Sequence, residues 1–131
     1  VDMAAELRVP NEYKNLIYAR SKLVHAGASV GVDVIDVPYL DLDDMDGMKK
    51  EAELVRDLGF TGKGSIHPKQ INMLNEIFTP SKEEIVKAKR IVDQFNASNT
   101  GLVVIDGKLI EKPVLREMQR KILIAHKINQ S

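Results

Sequence analysis

The stretch Gly59-Phe60-Thr61-Gly62-Lys63-Gly64-Ser65-Ile66-His67-Pro68-Lys69-Gln70-Ile71 restricts the fold more than any other part of the chain. It reads as a helix end, a short buried strand and an immediate turn into another helix. Gly59 suits the left-handed position that closes a helix. Lys63 to Ile66 predicts the strand, and Pro68 suits the first turn of the next helix, where an N–H has no helical partner anyway. A strand entered and left through helices within so few residues belongs to α/β architecture. In such folds ligands gather at the carboxyl ends of strands. Lys63, Ser65, His67 and Gln70 surround that end and form the first candidate site.

The rest of the chain continues the alternation. Asn11 to Val30 predicts a helix with Leu16, Ile17, Val24 and Ala28 on its apolar face. Val32 to Leu40 is rich in β-branched residues and predicts a parallel strand, apolar enough to be buried on both faces. Asp41 to Gly47 is an acidic loop, and Met48 to Leu58 a helix. Pro68 to about Glu76 is the next helix. Ser81 and Glu84 have the spacing of a reciprocal N-terminal cap, opening a helix with Ile85, Ala88, Ile91, Val92 and Phe95 inward. Asn96 to Thr100 is a polar linker. Leu102 to Ile105 and Lys108 to Ile110 flank Asp106-Gly107, a strong hairpin signal. Pro113 to Ile128 is a final amphipathic helix, with Val114, Leu115, Met118, Ile122 and Ala125 inward. Two core strands are too few to close a sheet, so the sheet is expected to be completed by polypeptide outside this sequence. The opening at Val1 reads as the middle of a protein; N-terminal processing or a domain edge gives the same start.

Composition excludes several functions. The 131 residues carry zero formal net charge and 5% aromatics without Trp, which argues against a nucleic-acid surface or base-stacking platform. The lack of Cys removes thiolate nucleophiles and thiolate metal sites, and fits a reducing, cytoplasmic compartment. No apolar run reaches membrane-spanning length. Gly62-Lys63-Gly64-Ser65 lacks the leading glycine of a phosphate loop and precedes no helix directly.

The order of features resembles the C-terminal part of the citrate lyase beta-subunit-like family, which includes citramalyl-CoA and malyl-CoA lyases of the HpcH/HpaI aldolase superfamily. Val1-Asp2-Met3-Ala4-Ala5-Glu6-Leu7 is similar to the end of its Gly-x-x-Asp metal segment, and Tyr18 to Val24 to the helix that follows. Ile35-Asp36-Val37-Pro38-Tyr39-Leu40-Asp41, with Asp44 and Asp46-Gly47, resembles its penultimate barrel strand and loop. Gly62-Lys63 through Ile66-His67-Pro68-x-Gln70-Ile71 resembles its last strand, and Phe78-Thr79-Pro80-Ser81 the next helix start. Asp106 to Val114 resembles its C-terminal hairpin and helix. The resemblance implies an α/β fold, the last third to half of a (β/α)8 TIM barrel over residues 1–98. Residues 99–131 would then be a hairpin-helix extension packing on a neighbouring subunit of a homotrimer or hexamer. It implies Mg2+-dependent carbon–carbon cleavage of a citryl, malyl or citramalyl thioester, carried by CoA or an acyl-carrier protein, to an acyl thioester and a 2-oxo acid.

The same resemblance implies roles for particular residues. Asp2 stands at a metal-ligand position, where a carboxylate is the hard oxygen donor Mg2+ takes; by itself it reads as a helix cap. Glu111 stands at the catalytic carboxylate position, usually Asp; by itself it is an acid favourably placed before a helix. Lys63, His67 and Gln70 are expected to touch substrate. Lys63 reads equally as a solvated strand-edge cation, and His67 as a structural residue bonding the backbone. Asp41, Asp43, Asp44 and Asp46 are expected to serve turns and caps. The alternatives are a pyruvate-type aldolase using free acids, and a non-catalytic oligomerisation or binding module.

Overall fold

The computed structural model describes residues 2–98 and 101–128. Val1, the last two residues of the expected linker and the last three of the extension lie outside them. Packing divides the chain into two compact units, Val1–Phe78 and Thr79–Ser131. Among the described residues, no helix is long and apolar enough to cross a membrane.

The first unit runs α1 (Asp2–Leu7), α2 (Tyr13–Val30), β1 (Ile35–Asp36), α3 (Met45–Leu58), β2 (Gly62–Lys63) and α4 (Pro68–Phe78). The helix over the second acidic segment starts at Met45 rather than Met48, because Asp44 caps it by accepting from Gly47 N at 2.8 Å. α3 ends where Gly59 turns left-handed at φ 113. There Gly59 N donates to Arg56 O at 3.0 Å and Phe60 N to Val55 O at 3.1 Å. Those bonds satisfy carbonyls the helix end would otherwise leave bare. α3 and α4 pack through Met48, Ala52, Leu74 and Ile77, with Tyr39 and Phe78 against them.

β1 and β2 pair in parallel, Ile35 with Gly62 and Asp36 with Lys63. Both strands are shorter than the sequence predicts. Beyond Asp36 the pairing stops after Gly64 N donates to Asp36 O at 2.9 Å. Pro38 has no N–H to extend it. Beyond Lys63, Ile66 N is captured by the Gln70 side chain instead of a strand partner. The expectation of strands buried on both faces concerns a sheet completed by polypeptide outside this sequence; among the described residues only one face is covered. Ile35 and Val37 are 69% and 55% exposed, and the buried residue of each strand is charged, Asp36 and Lys63. The helices cover one face of the pair; nothing among the described residues covers Ile35 and Val37 on the other.

The second unit runs α5 (Lys82–Ala97), β3 (Val103–Ile105), β4 (Lys108–Ile110) and α6 (Lys112–Ile128). Ser81 Oγ accepts from Glu84 N while Glu84 accepts from Ser81 N, completing the reciprocal cap. β3 and β4 form the antiparallel hairpin. Its turn places both Asp106 (φ 51) and Gly107 (φ 72) in the left-handed region, which matches the right-handed twist of the strands. Ile91, Phe95, Ile105 and Ile110 form the core, flanked by Val114, Leu115 and Met118.

Candidate functional site

The carboxyl end of the β1–β2 pair gathers most of the polar side chains that local sequence logic does not explain. Asp36 points from β1 into the helix layer. Arg20 of α2 donates to it twice, Nε to Oδ1 at 3.0 Å and Nη2 to Oδ2 at 3.1 Å. Lys63 Nζ donates to Asp36 Oδ2 at 2.7 Å, Glu51 Oε1 at 2.7 Å and the Val37 carbonyl at 2.8 Å. The Lys63 side chain is wholly buried, so the alternative of a solvated cation is corrected: its three donors are all taken within the chain. Burial by itself would raise the Asp36 carboxyl; the hydrogen bonds and charges of Arg20 and Lys63 outweigh it and hold the group below its usual value. Two cations and two carboxylates therefore neutralise one another at the end of the sheet. The Arg20 guanidinium also lies 5.2 Å from the centre of the Tyr13 ring, an arrangement its charge favours. Among the described residues, its Nη1 is buried with no hydrogen-bond acceptor. A cavity of about 240 Å³ opens beside it, lined by Leu16, Arg20, Val37, Tyr39 and Glu51 among others.

A second network begins one residue past β2. Gln70 is fully buried in the first turn of α4. Its Oε1 accepts from Ser65 Oγ and from Ile66 N, each at 3.1 Å, and its Nε2 donates to Tyr39 O at 3.0 Å. Tyr39 in turn donates its hydroxyl to Asp44 Oδ2 at 2.8 Å. That bond, with burial and the nearby carboxylates of Asp44, Glu51 and Asp41, pushes the phenol up to about 12. Asp44 is held low, first by the Gly47 N–H and then by Tyr39. Asp41 accepts from Asp43 N at 3.0 Å, so turn and cap geometry accounts for Asp41 and Asp44 in the acidic loop.

His67 is exposed and sits just before α4. Its Nδ1 accepts from Lys69 N at 3.2 Å, which places the proton of the neutral ring on Nε2. Its carbonyl accepts from Gln70 N and lies 2.9 Å from Ser65 Oγ, whose single proton serves either this carbonyl or Gln70 Oε1. The structure thus brings Ser65, His67 and Gln70 together, with Lys63 pinning Val37 two residues from Tyr39. Asp2 is exposed on the first turn of α1, and no hydrogen bond or ion pair ties it to that group. Among the described residues no three His, Asp or Glu side chains converge as a metal site. One hard carboxylate is nonetheless compatible with Mg2+, which commonly takes one or two carboxylates and completes its shell with water or substrate. Glu111 lies exposed in the second unit, where its carbonyl accepts from Leu115 N at 3.0 Å as α6 begins.

Sequence reading did not single out Arg20, Asp36 or Glu51. One signal was available: an Asp inside the apolar run Val34-Ile35-Asp36-Val37 demands a buried counter-ion.

Comparison with known proteins places this geometry in context. The sequence model of the HpcH/HpaI aldolase/citrate lyase family matches residues 1–68. Citrate lyase subunit beta of Leuconostoc mesenteroides subsp. cremoris is 30% identical over 116 residues, covering 86% of this chain and 38% of that protein. Mitochondrial citramalyl-CoA lyase of Rattus norvegicus is 32% identical over 120 residues, covering 89% of this chain and 36% of that protein. The crystal structure of CitE from Mycobacterium tuberculosis, in complex with magnesium, acetoacetate and coenzyme A, superimposes with a TM-score of 0.72 at 27% identity. The match covers 83% of this chain and 40% of that one. The chain therefore spans well under half the length of the relatives it matches.

Proposed function

The chain belongs to the HpcH/HpaI aldolase/citrate lyase family, and from that premise we propose that it forms part of a carbon–carbon lyase acting on a 3-hydroxyacyl thioester. The observation that carries this reading is the likeness to lyases of citrate and citramalyl-CoA, together with that to a CitE bound to magnesium and coenzyme A. Each covers more than four fifths of the chain. Residues 1–98 are read as the closing part of a (β/α)8 barrel, with β1 and β2 as two of its strands. Residues 99–131 are read as an extension that packs on a neighbouring subunit of a trimer or hexamer.

Cleavage breaks the bond between the thioester α-carbon and the carbinol carbon. The hydroxyl gives its proton to a base outside the residues assigned in this chain, the carbinol carbon becomes the carbonyl of a 2-oxo acid, and the electron pair of the broken bond passes to the α-carbon as an enolate. Mg2+, when bound, supplies a Lewis acid for the oxygens of the oxo-acid half. Asp2 is the residue of this chain assigned to hold it. Glu111 is assigned to deliver a proton to the enolate carbon, from the segment where the Asp106-Gly107 turn aims it. Among the residues expected to touch the thioester carrier, His67 keeps an exposed imidazole, and we assign it that contact.

The test is a Mg2+-dependent cleavage assay with citryl-, malyl- and citramalyl-CoA, on the protein as its source makes it. Glu111→Ala is expected to lower kcat by about 10²- to 10⁴-fold, the range of a lost general acid. Because Glu111 is exposed, stability is expected to stay within about 0.5 kcal/mol. Loss of stability or assembly with turnover intact would remove Glu111 from the chemistry.

A further inference from the structure

We infer that Gln70 is a positioning residue: with Tyr39 it clamps the loop after β1 to the turn after β2, and so sets the shape of the site without touching substrate. The inference rests on the lyase reading for its activity assay and on geometry alone for its structural assay. Gln70 has no exposed surface, so a ligand has no route to its amide. Its hydrogen bonds also define which way the amide faces. A backbone donor, Ile66 N, meets Oε1, and a carbonyl, Tyr39 O, meets Nε2. Turning the amide over would set Nε2 against the Ile66 N–H and Oε1 against the Tyr39 carbonyl oxygen.

The partners lie on segments 31 residues apart in sequence. One is the turn that β2 feeds into α4; the other is the loop that β1 feeds into α3. From Tyr39 the line continues through its hydroxyl to Asp44, and from Asp44 to Gly47 N in the first turn of α3. Lys63 holds the same loop independently, through the Val37 carbonyl. Both loops stand at strand carboxyl ends, where α/β proteins build their sites. Gly47 belongs to the same device: a Cβ there would run into Asp44 Oδ2 and the Tyr39 hydroxyl oxygen, so a larger residue would make both side chains shift.

Gln70→Glu separates positioning from bulk. As a carboxylate it still accepts from Ile66 N, but it sets a charged oxygen against Tyr39 O. As a neutral acid it donates there again. The expected result is a kcat/KM about 10- to 100-fold below the parent at pH 8, the scale of a misplaced loop. Most of that loss should be recovered by about pH 6, because burial raises a carboxyl's pKa. The charged and titratable groups around the clamp, His67, Asp44, Glu51, Asp36, Lys63 and the Lys69–Asp43 pair, are common to parent and variant, so the ratio at each pH isolates the substitution. Gln70→Met should lose activity at every pH, without recovery. Hydrogen exchange supplies the structural assay. The Ile66 amide should exchange at least about tenfold faster in Gln70→Met and stay protected in Gln70→Glu, while Asp43 and Gly47 loosen in both. A flat ratio across pH, or unchanged exchange at Ile66, Asp43 and Gly47, overturns the inference. If the parent cleaves no thioester, the lyase reading falls, and the exchange data still decide the clamp. If Gln70→Met does not fold, the pH ratio and exchange of Gln70→Glu decide it.

Discussion

Removing the Asp36 carboxylate would strand Arg20 and Lys63 as buried cations without their shared counter-ion. Breaking a buried pair in this way costs about 3–5 kcal/mol, so Asp36→Asn should lower the urea midpoint by a corresponding amount. The same group sets an acid limit. Its folded value lies below the unfolded 3.8, so its contribution is complete above 3.8 and fades as pH falls through the lower folded value. Asp36→Asn should flatten that part of the stability-against-pH curve, measured by urea titration between pH 2 and 5. Tyr39 behaves oppositely: with its phenol pushed up to about 12, it remains a donor to Asp44 throughout the neutral range. At this scale Lys63, His67 and Gln70 stood out in the sequence because they crowd one strand end. Their contacts did not, because a buried lysine and a solvated one look identical until the partner segments arrive.

Helix ends and the hairpin are governed by local chemistry, and their variants should behave accordingly. Ser81→Ala removes one half of the reciprocal cap on α5 and should cost about 1 kcal/mol, read as a shift in thermal or urea unfolding. Gly107→Val forces a β-branched residue into φ 72 and should cost about 1–2 kcal/mol while loosening the segment that carries Glu111. A larger fall in kcat than in stability would tie the hairpin to catalysis. The helices over 13–30 and 82–97, the cap at Ser81 and the Asp106-Gly107 turn were legible because each depends on residues within a few positions. The strands were legible in place but not in length. Their ends are decided by a proline, by Gln70 taking the Ile66 N–H, and by a partner strand 27 residues away.

For the molecule as a whole, the exposed apolar face of the β1–β2 pair is the main consequence. Ile35 and Val37 are both exposed on it, apolar side chains that soluble proteins ordinarily cover. A polypeptide limited to residues 1–131 is expected to bind a hydrophobic dye and to self-associate in light scattering, whereas a chain that supplies further strands should do neither. A monomeric, dye-negative 131-residue polypeptide would show that the pair needs no cover. The sequence alone determined the α/β class, the order of elements from the helix over 13–30 onward, the caps and the hairpin, because periodicity, glycine conformation and capping act over short distances along the chain. Only the tertiary structure decided that Asp36 and Lys63, rather than the β-branched residues beside them, are the buried members of the strands. It alone joined Arg20, Glu51 and Tyr39 to the candidate site. Those contacts link residues 12 to 31 positions apart, and whether a charge is paired or solvated depends on which distant segments pack around it.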